Sequence, residues 1–316
     1  MRGAAARGVL LLAHGAPETP SEVPAFLMRV RGGRPLPPAA VAAYQARYER
    51  IGGTSPLAAT TRGIAHRLAR ALNLPVYLAT RHGSPTVTEG LDRAAADGVH
   101  RLSAICLTPY EGRYASDAYR ETLDHALRDH GAGFSIDFVR SWHRESSFID
   151  GLSDAAAEAL AQMDGDADRA VVIFSAHSVP VADEDGRDPY PDQVTETAAS
   201  VARRLNLERA RWRVAYQSAP SRTRRPWLEP SLTDVVATAA SEWRARWSSD
   251  AMPHIVVVPI GFVIDNLETL YDLDIELKER AAALDIRLER AQALNERPAL
   301  IAALAGAVKR DDKERP

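Results

Sequence analysis

The sequence predicts an α/β protein made of two doubly wound domains, each with a parallel β-sheet. Short aliphatic and β-branched runs alternate with longer amphipathic stretches along the 316 residues, as expected when helices cross over between parallel strands. These runs are mostly continuous rather than alternating, which is typical of strands covered by helices on both faces. A chain of this length also suits two domains of about 150 residues each.

Eight strands are predicted, four in each half of the chain. We expect them at residues 8–13, 75–79, 102–107, 135–138, 170–175, 213–217, 255–259 and 286–290. Helical patterns lie between them, for example at residues 61–72, 117–130, 154–163, 194–205, 232–247 and 267–284. The gap between the fourth and fifth strands sets a boundary near residue 145, so the expected domains are 1–145 and 146–316.

Composition excludes several classes of protein. The formal net charge of −3 disfavours a nucleic-acid binder, because such proteins usually carry a basic excess. The single cysteine, Cys106, excludes an internal disulfide and a four-cysteine zinc or iron–sulfur site within one chain. It lies in an apolar run and is predicted to be a buried strand residue. The apolar run near the N-terminus is too short for a signal peptide or a membrane span, so we expect a cytoplasmic protein.

Polar residues follow the predicted strands at their carboxyl ends. His14 comes after the first strand and His177 after the fifth. Open parallel sheets bind ligands at this edge, so we expect these residues to converge on a cleft between the domains. His177 has small neighbours that leave its ring accessible, although a buried core histidine is the alternative. Ser175 and Ser178 suggest a serine hydrolase as another function, but neither lies in a Gly-x-Ser-x-Gly elbow.

Five carboxylates form the second candidate site. Asp265, Glu268, Asp272, Glu276 and Glu279 recur three or four residues apart, which on an α-helix makes one acidic stripe. A solvated surface helix is the alternative. The leucines and isoleucine between these carboxylates make the segment too apolar for a free surface helix. A row of carboxylates beside a cleft needs a cation, and oxygen ligands suit Mg2+, Ca2+ or hydrated Fe2+.

The insertion between the first two predicted strands is rich in arginine. Arg31, Arg34, Arg47 and Arg50 precede a glycine pair at residues 52–53. Arginines can hold carboxylates by paired hydrogen bonds, although surface arginines beside a helix end are the alternative. No Gly-x-Gly-x-x-Gly or Walker A pattern follows the first strand, so nucleotide-binding functions lose their main support.

Six separated motifs, in this order, resemble those of the ferrochelatase family, whose members insert ferrous iron into a porphyrin. They are LLLAHGAP (10–17), YERIGGTSPL (48–57), SAHSVP (175–180), DPYPDQV (188–194), YQSAP with PWLEP (216–220 and 226–230) and PIGFVIDNLETLYDLDIE (259–276). The resemblance runs from about residue 10 to residue 304. It implies the chelatase fold, in which two Rossmann-like domains face a central cleft.

The resemblance also implies residue roles. His177 matches the metal-binding and proton-accepting histidine, and Glu268 matches the glutamate opposite it. Asp272 and Glu276 match carboxylates that can hold a second, hydrated cation, for which Mg2+ is the candidate. The porphyrin-binding positions correspond to Arg31, Arg47, Tyr48, Ser55 and Tyr119, and Trp227 matches a tryptophan near the cleft. Fe2+ is a substrate here, and neither an organic cofactor nor an iron–sulfur cluster is implied.

Two positions depart from the family pattern. Asn266 stands where the family usually has histidine, which puts a relay through that position in doubt. His14 stands where family members carry tyrosine or an apolar residue. It is a candidate axial iron ligand, and the alternative is that it only hydrogen-bonds the turn at Gly15. A similar His-Gly pair ends the first strand of the smaller sirohydrochlorin chelatases, which makes a cobalt or iron chelatase of that type the alternative function.

The segment 108–119 favours one porphyrin. It is short and polar, whereas enzymes that use membrane-borne protoporphyrin IX commonly carry a longer apolar lip there. The chain therefore resembles the soluble branch that uses coproporphyrin III, whose four propionates suit the arginines. The expected role is haem biosynthesis, with upstream and downstream enzymes of that pathway as partners, no nucleic acid and no membrane span. A non-catalytic haem or tetrapyrrole carrier is the alternative from another class.

Overall fold

The computed structural model describes residues 6–131, 133–163, 167–182, 187–220, 225–247 and 252–313. These residues form two units: unit 1 runs up to Glu145 and resumes at Asn295, and unit 2 is Ser146–Leu294. The change from unit 1 to unit 2 after Glu145 coincides with the domain boundary predicted from the sequence. The expected domain 146–316 differs in its last part, because the C-terminal segment packs on unit 1 instead.

Each unit contains one four-stranded sheet, and every strand pair is parallel. The order is β2-β1-β3-β4 in unit 1 and β6-β5-β7-β8 in unit 2. All eight predicted strands are present, so the predicted fold class is confirmed. The strands are β1 (Arg7–Ala13), β2 (Val76–Thr80), β3 (Arg101–Cys106), β4 (Ser135–Val139), β5 (Val171–His177), β6 (Trp212–Gln217), β7 (His254–Pro259) and β8 (Arg287–Arg290).

Helices connect the strands, and the described chain has more of them than the sequence patterns indicate. A π-helix, Glu268–Leu277, and two 3-10 turns, Pro20–Glu22 and Arg209–Arg211, accompany the α-helices. The α-helices are α1 (Val23–Val30), α2 (Pro38–Arg50), α3 (Leu57–Leu72), α4 (Val87–Ala96), α5 (Ser116–His130), α6 (Ser146–Leu160), α7 (Tyr190–Arg204), α8 (Leu232–Trp247), α9 (Lys278–Ala283) and α10 (Pro298–Lys313). The last of these, α10, packs against α3 and β4 of unit 1. No helix in the described ranges combines the length and apolarity that crossing a bilayer requires.

Burial explains why the apolar runs become central strands. The side chains from Val9 to Ala13 in β1 and from Val172 to Phe174 in β5 are almost completely buried. Their sheets are covered by helices on both faces, so a continuous apolar run is stabilised at both sides of the strand. Cys106 ends β3 fully buried, as predicted, and burial raises the pKa of its thiol to about 12.

The strand order creates one switch point in each sheet. In unit 1 the order reverses between β1 and β3, and in unit 2 between β5 and β7. Ligands of open α/β sheets bind at the carboxyl ends of strands beside such a point. His14, which follows β1, and His177, which ends β5, therefore lie where the fold favours a site.

The turn after β1 depends on a glycine. Gly15 has a φ of +84°, and a side chain there would place its Cβ 2.6 Å from the backbone nitrogen of Gly83. The turn is fixed further because the His82 N–H donates to the His14 carbonyl at 2.9 Å. His14-Gly15 and His82-Gly83 consequently form two His-Gly turns packed backbone to backbone.

Replacing Gly15 by alanine is expected to destabilise the protein by about 2 kcal/mol or more, because the left-handed backbone alone costs an L-residue about 1–2 kcal/mol and the Cβ would also overlap Gly83. Gly32→Ala is the matched control, since Gly32 has a φ of +62° with open space around its Cβ position. Denaturant midpoints should rank wild type above Gly32→Ala and Gly32→Ala above Gly15→Ala. Equal losses in the two variants would show that the close approach carries no energetic weight.

Candidate functional site

His177 and Glu268 form the centre of a polar site in unit 2. Nδ1 of His177 lies 2.9 Å from Oε2 of Glu268, although the two residues are 91 positions apart in sequence. The side chains are 34% and 36% exposed, so the pair is reachable from solvent. When the imidazole is neutral, a proton on Nδ1 is donated to the carboxylate and the ring lone pair is on Nε2. The two sequence-predicted central residues are therefore together in the structure.

The end of β5 holds the imidazole in place. His177 pairs with Gln217 of β6, and the hydroxyl of Tyr190 donates to the His177 carbonyl at 2.9 Å. On the other side, Gly261 donates its N–H to the Ser175 carbonyl at 3.1 Å. A Cβ on Gly261 would lie 2.7 Å from Cα of Ala176. Only glycine permits this approach, which brings the chain after β7 against the strand that carries His177.

Asn266 caps the helix that presents Glu268. Its Oδ1 accepts hydrogen bonds from the backbone N–H groups of Glu268 at 2.8 Å and Thr269 at 3.3 Å. Its own N–H donates to the Thr269 hydroxyl at 2.9 Å. A side-chain oxygen that satisfies the first N–H groups of a helix fixes where the helix begins. The departure from the family's usual histidine thus places a capping residue two positions before Glu268.

The predicted α-helix at residues 267–284 is wrong for most of its length. Residues Glu268–Leu277 form a π-helix, and only Lys278–Ala283 continues as α-helix α9. Leu273 and Leu277 pack into the hydrophobic core of unit 2 with exposures of 1% and 4%. The apolar residues between the carboxylates are therefore buried, as the sequence indicates. π-helical turns are rare and occur frequently at functional sites.

The carboxylates of the predicted stripe have different partners instead of forming one row. Glu268 contacts His177, and Asp272 accepts a hydrogen bond from the Ser218 hydroxyl at 2.6 Å. Glu276 forms an exposed ion pair with Arg280 at 2.7 Å. Within the described ranges, no group of three or more histidine, cysteine, aspartate or glutamate side chains is placed to hold a metal ion.

Arg290 at the end of β8 neutralises two further carboxylates. Its guanidinium binds Asp274 through two hydrogen bonds of 2.8 and 2.6 Å and Asp265 through one of 2.9 Å. The Arg290 side chain is only 7% exposed. These contacts tie both the loop before the π-helix and its middle turn to the sheet, so the helix that carries Glu268 cannot shift without breaking a buried ion-pair network.

Two effects act in opposite directions on the pKa of His177. Burial lowers it, while the charge and hydrogen bond of Glu268 and the charge of Asp272 raise it, and the result is a pKa above the ordinary histidine value. The carboxylates therefore stabilise a positive charge on the imidazole. A ring in this setting is a stronger proton acceptor than an isolated histidine.

Two aromatic rings lie beside the imidazole of His177, and a hydrogen bond anchors the segment that carries one of them. Its ring centroid lies 6.0 Å from that of Phe262 and 6.5 Å from that of Trp227, both in edge-on orientations. Ser178 donates its hydroxyl to the Leu228 carbonyl at 2.8 Å, which anchors the segment that carries Trp227. Ser175 is fully buried, and its hydroxyl has no hydrogen-bond partner. Neither serine contacts His177 through a hydrogen bond, so this site is not a serine hydrolase triad.

Unit 1 presents the second histidine of the sequence prediction. His14 is exposed, and its Nδ1 donates to the Gly15 carbonyl at 3.1 Å. Its ring lies beside those of His82 and Phe26, at centroid distances of 4.9 and 5.9 Å. Burial, with the charges of His14, Arg81 and Arg29, lowers the pKa of His82 to about 3. The hydrogen bond predicted between His14 and the turn at Gly15 is present.

The five residues predicted to bind a porphyrin have different environments within unit 1. Arg31 is exposed at the end of α1, and Arg47 on α2 is half-buried with its guanidinium 5.7 Å from the Tyr44 ring centroid. Tyr48 and Ser55 are buried, with exposures of 4% and 7%. Tyr119 is partly buried and packs against the unit 1 core. The two arginines offer charge at the surface, whereas the other three residues are packed.

Sequence reasoning did not assign functions to three residues that shape the site in unit 2. Ser218 and Arg290 contact carboxylates 54 and 16 positions away, and Asn266 caps the π-helix. The signals were present but weak. Ser218 and Arg290 each follow or end a predicted strand, and an asparagine before an amphipathic stretch is a common helix start.

Comparisons with known proteins agree on one family. The ferrochelatase family model matches residues 6–312. A ferrochelatase from Herpetosiphon aurantiacus is 33% identical over 300 residues, which cover 93% of this chain and 95% of that protein. A coproporphyrin III ferrochelatase from Geobacillus kaustophilus is 32% identical over 309 residues, covering 95% and 94%. The solved structure of SirB from Bacillus subtilis with Fe3+ has a TM-score of 0.60 at 11% identity. The match covers 97% of this chain and 95% of that one, and it shows a likeness of fold alone.

The chain therefore has the α/β fold of the chelatases. It belongs to the ferrochelatase family. Members of this family are metal-insertion enzymes, which agrees with a site built from an imidazole and a carboxylate.

Replacing Arg290 by alanine is expected to destabilise the π-helix by about 3 kcal/mol, because removing one partner of a buried ion pair leaves the other charges uncompensated. Arg290→Lys should lose less, since the charge remains while the paired hydrogen bonds are lost. Arg280→Ala is the control and should cost no more than about 0.5 kcal/mol, because its pair with Glu276 is exposed. Hydrogen exchange of the π-helix amides measures the effect. Equal protection in Arg290→Ala and Arg280→Ala would contradict it.

Proposed function

We propose that the protein inserts Fe2+ into a porphyrin in haem biosynthesis, with coproporphyrin III as the favoured substrate and protoporphyrin IX as the alternative. The observation that carries this proposal is the contact between His177 and Glu268 at the switch point of unit 2. It supplies a nitrogen and an oxygen ligand, and borderline Fe2+ accepts both types. The relatives named for coproporphyrin III support the choice of substrate.

Metal insertion requires the loss of two pyrrole protons and of the water bound to Fe2+. In the proposed mechanism, Nε2 of His177 accepts a pyrrole proton, while Glu268 holds Nδ1 and stabilises the imidazolium that forms. The Glu268 carboxylate also offers oxygen to the incoming metal and a second acceptor for a proton. Asn266 keeps the first turn of the π-helix in register, so the carboxylate stays within 2.9 Å of the ring.

The roles of Asp272 and Glu276 differ under this proposal. Asp272 acts with Glu268, because its charge reaches His177. Glu276 is already paired with Arg280, so the two carboxylates do not form a ready pair for a second cation. The described residues provide no three-ligand group at this position, and Mg2+ binding there stays a prediction from the resemblance. Any such cation would be held mainly through its own water molecules.

Arginines of unit 1 support the choice of coproporphyrin III. Arg31 is exposed and Arg47 is half-buried, so both guanidinium groups can reach a ligand at the surface of unit 1. Guanidinium groups bind carboxylates with two parallel hydrogen bonds. Coproporphyrin III carries four propionates and protoporphyrin IX two, so an arginine-rich surface favours the former. Tyr48, Ser55 and Tyr119 are proposed as further porphyrin-binding residues.

His14 is proposed as an axial ligand to the iron of the product. Its Nδ1 donates to the Gly15 carbonyl, and this tautomer has its lone pair on Nε2, the atom that would bind iron. The hydrogen bond to the turn and the ligand role are therefore compatible. The upstream and downstream pathway enzymes and the cytoplasmic location stay predictions from the sequence.

Two other functions are the alternatives. A sirohydrochlorin-type chelatase shares the fold, but the likeness to SirB at 11% identity supports the fold alone. A tetrapyrrole carrier needs a binding surface but has no need of a base in contact with a carboxylate. The observed contact between His177 and Glu268 therefore favours the enzyme.

An anaerobic assay with Fe2+ and either porphyrin tests the proposal. Wild type is expected to metalate coproporphyrin III, seen as a change in absorbance, and His177→Ala should lose turnover by about 10²-fold or more while it still binds the porphyrin. His66→Ala, which removes an exposed histidine of α3, is the control and should match wild type. Binding of both porphyrins without metalation by wild type would favour the carrier.

Arg47→Ala and Arg31→Ala are each expected to weaken coproporphyrin III binding by roughly tenfold, since one charge-assisted hydrogen-bond pair is worth about 1.5–3 kcal/mol. Protoporphyrin IX binding should weaken less, because fewer propionates need partners. Arg203→Ala, an exposed arginine of α7 in unit 2, serves as the control. Fluorescence titration with each porphyrin measures both affinities, and equal losses for the two porphyrins would assign the arginines to the fold instead.

A further inference from the structure

The turn after β2 in unit 1 is held by a residue from helix α1. Nε of Arg29 donates to the His82 carbonyl at 2.7 Å, although the two residues are 53 positions apart in sequence. The backbone N–H of His82 in turn donates to the His14 carbonyl at 2.9 Å. The backbone of His82 is therefore fixed by Arg29 and joined to His14, so Arg29 is connected to His14 through a single residue.

Helix α1 also contacts the His14 ring directly. The centroid of the Phe26 ring lies 5.9 Å from that of His14, in an edge-on orientation, and that of the His82 ring lies 4.9 Å away. Phe26 is buried and precedes Arg29 by three residues on α1, and residues at this spacing lie on the same face of a helix. One face of α1 therefore contacts the His14 ring through Phe26 and the turn at His82 through Arg29.

The hydrogen bond from Arg29 acts beyond the end of the paired strands. The parallel pairing of β1 with β2 ends at Ala13 and Thr80, and the chain continues into the two His-Gly turns. A glycine in a turn has no Cβ that would restrict its backbone. A guanidinium donor forms a charge-assisted hydrogen bond, which is stronger than one between neutral groups. Arg29 therefore restricts a segment that the β-ladder does not include.

The orientation of the His14 ring decides which nitrogen can bind a metal. Nδ1 donates to the Gly15 carbonyl, and in this tautomer the lone pair is on Nε2. Groups around a ligating histidine fix its tautomer and ring orientation. We infer that Arg29 is a positioning residue, which fixes the turn at His82 and thereby keeps the His14 ring in the orientation that offers Nε2 to the iron of the product. The inference rests on the proposed function, since it concerns His14 as the axial ligand.

Absorption spectra of bound iron coproporphyrin III test the inference. Arg29→Ala removes the hydrogen bond, and we expect its spectrum to shift from that of wild type toward that of His14→Phe, with the Kd for the iron porphyrin raised about tenfold. Arg29→Lys keeps a charged donor and should recover part of the wild-type spectrum. In a His14→Phe background, Arg29→Ala should have no further effect on the spectrum or the Kd, because it acts through the missing imidazole.

Arg244 of α8 provides a matched control in unit 2. Its Nη2 donates to the Leu284 carbonyl at 2.8 Å, so Arg244→Ala also removes a hydrogen bond from an arginine to a backbone carbonyl. That variant should leave the spectrum and the Kd for the iron porphyrin unchanged. A wild-type spectrum in Arg29→Ala, or an effect on the Kd that adds fully to that of His14→Phe, would overturn the inference and assign Arg29 to the fold alone.

Nitrogen NMR of the histidine rings, in the absence of porphyrin, distinguishes this inference from the proposed function. In alkaline solution, where imidazole is neutral, the His14 ring of wild type should be in the Nδ1–H tautomer, and its signals are assigned by their loss in His14→Phe. Arg29→Ala should shift these signals toward an average of the two tautomers, whereas Arg244→Ala should not. This shift supports the role of Arg29 even if wild type fails to metalate a porphyrin. An unchanged Nδ1–H tautomer in Arg29→Ala overturns it, whether or not metalation is observed.

Discussion

The site in unit 2 depends on one contact, the 2.9 Å hydrogen bond between His177 and Glu268. The imidazole comes from the end of β5, and the carboxylate comes from a helix that follows the neighbouring strand β7. Two residues make the meeting geometrically permissible. Gly261 allows the chain after β7 to contact Ala176. Asn266 accepts a hydrogen bond from the Glu268 N–H and so fixes the start of the helix that carries this carboxylate. A parallel sheet with its switch point here brings two elements far apart in sequence to one edge.

The carboxylates around this contact differ in the type of partner that each one binds, and the partner determines how far its negative charge is neutralised. Arg290 binds Asp265 and Asp274 with a buried guanidinium, so these two aspartates act as anchors of the π-helix. Glu268 and Asp272 instead receive an imidazole and a hydroxyl. The helix can therefore carry many acidic residues without strong self-repulsion, while the carboxylates nearest His177 retain their attraction for cations.

The sequence predicts strands better than it predicts helix type or tertiary partners. Continuous apolar runs such as that around Phe174 can satisfy burial on both faces only as central strands, so all eight were found. The π-helix was missed because leucines four residues apart, such as Leu273 and Leu277, suit an α-helix equally well. Partnerships such as Ser218 with Asp272 depend on which elements the fold brings together. The roles of His177 and Glu268 come from the motif resemblance and stay predictions, and their mutual contact is a finding of the structure.

The two units show how one topology provides different chemistry. Their strand orders are equivalent, β2-β1-β3-β4 and β6-β5-β7-β8, and a histidine stands at the end of β1 and of β5. The difference lies in what each Nδ1 contacts. In His14 it donates to the neutral carbonyl of Gly15, whereas in His177 it meets the charged carboxylate of Glu268. A carboxylate stabilises an imidazolium and a carbonyl does so far less, which is why proton acceptance is proposed for His177. His14 is proposed instead as a neutral metal ligand, because its Nδ1 contacts an uncharged carbonyl.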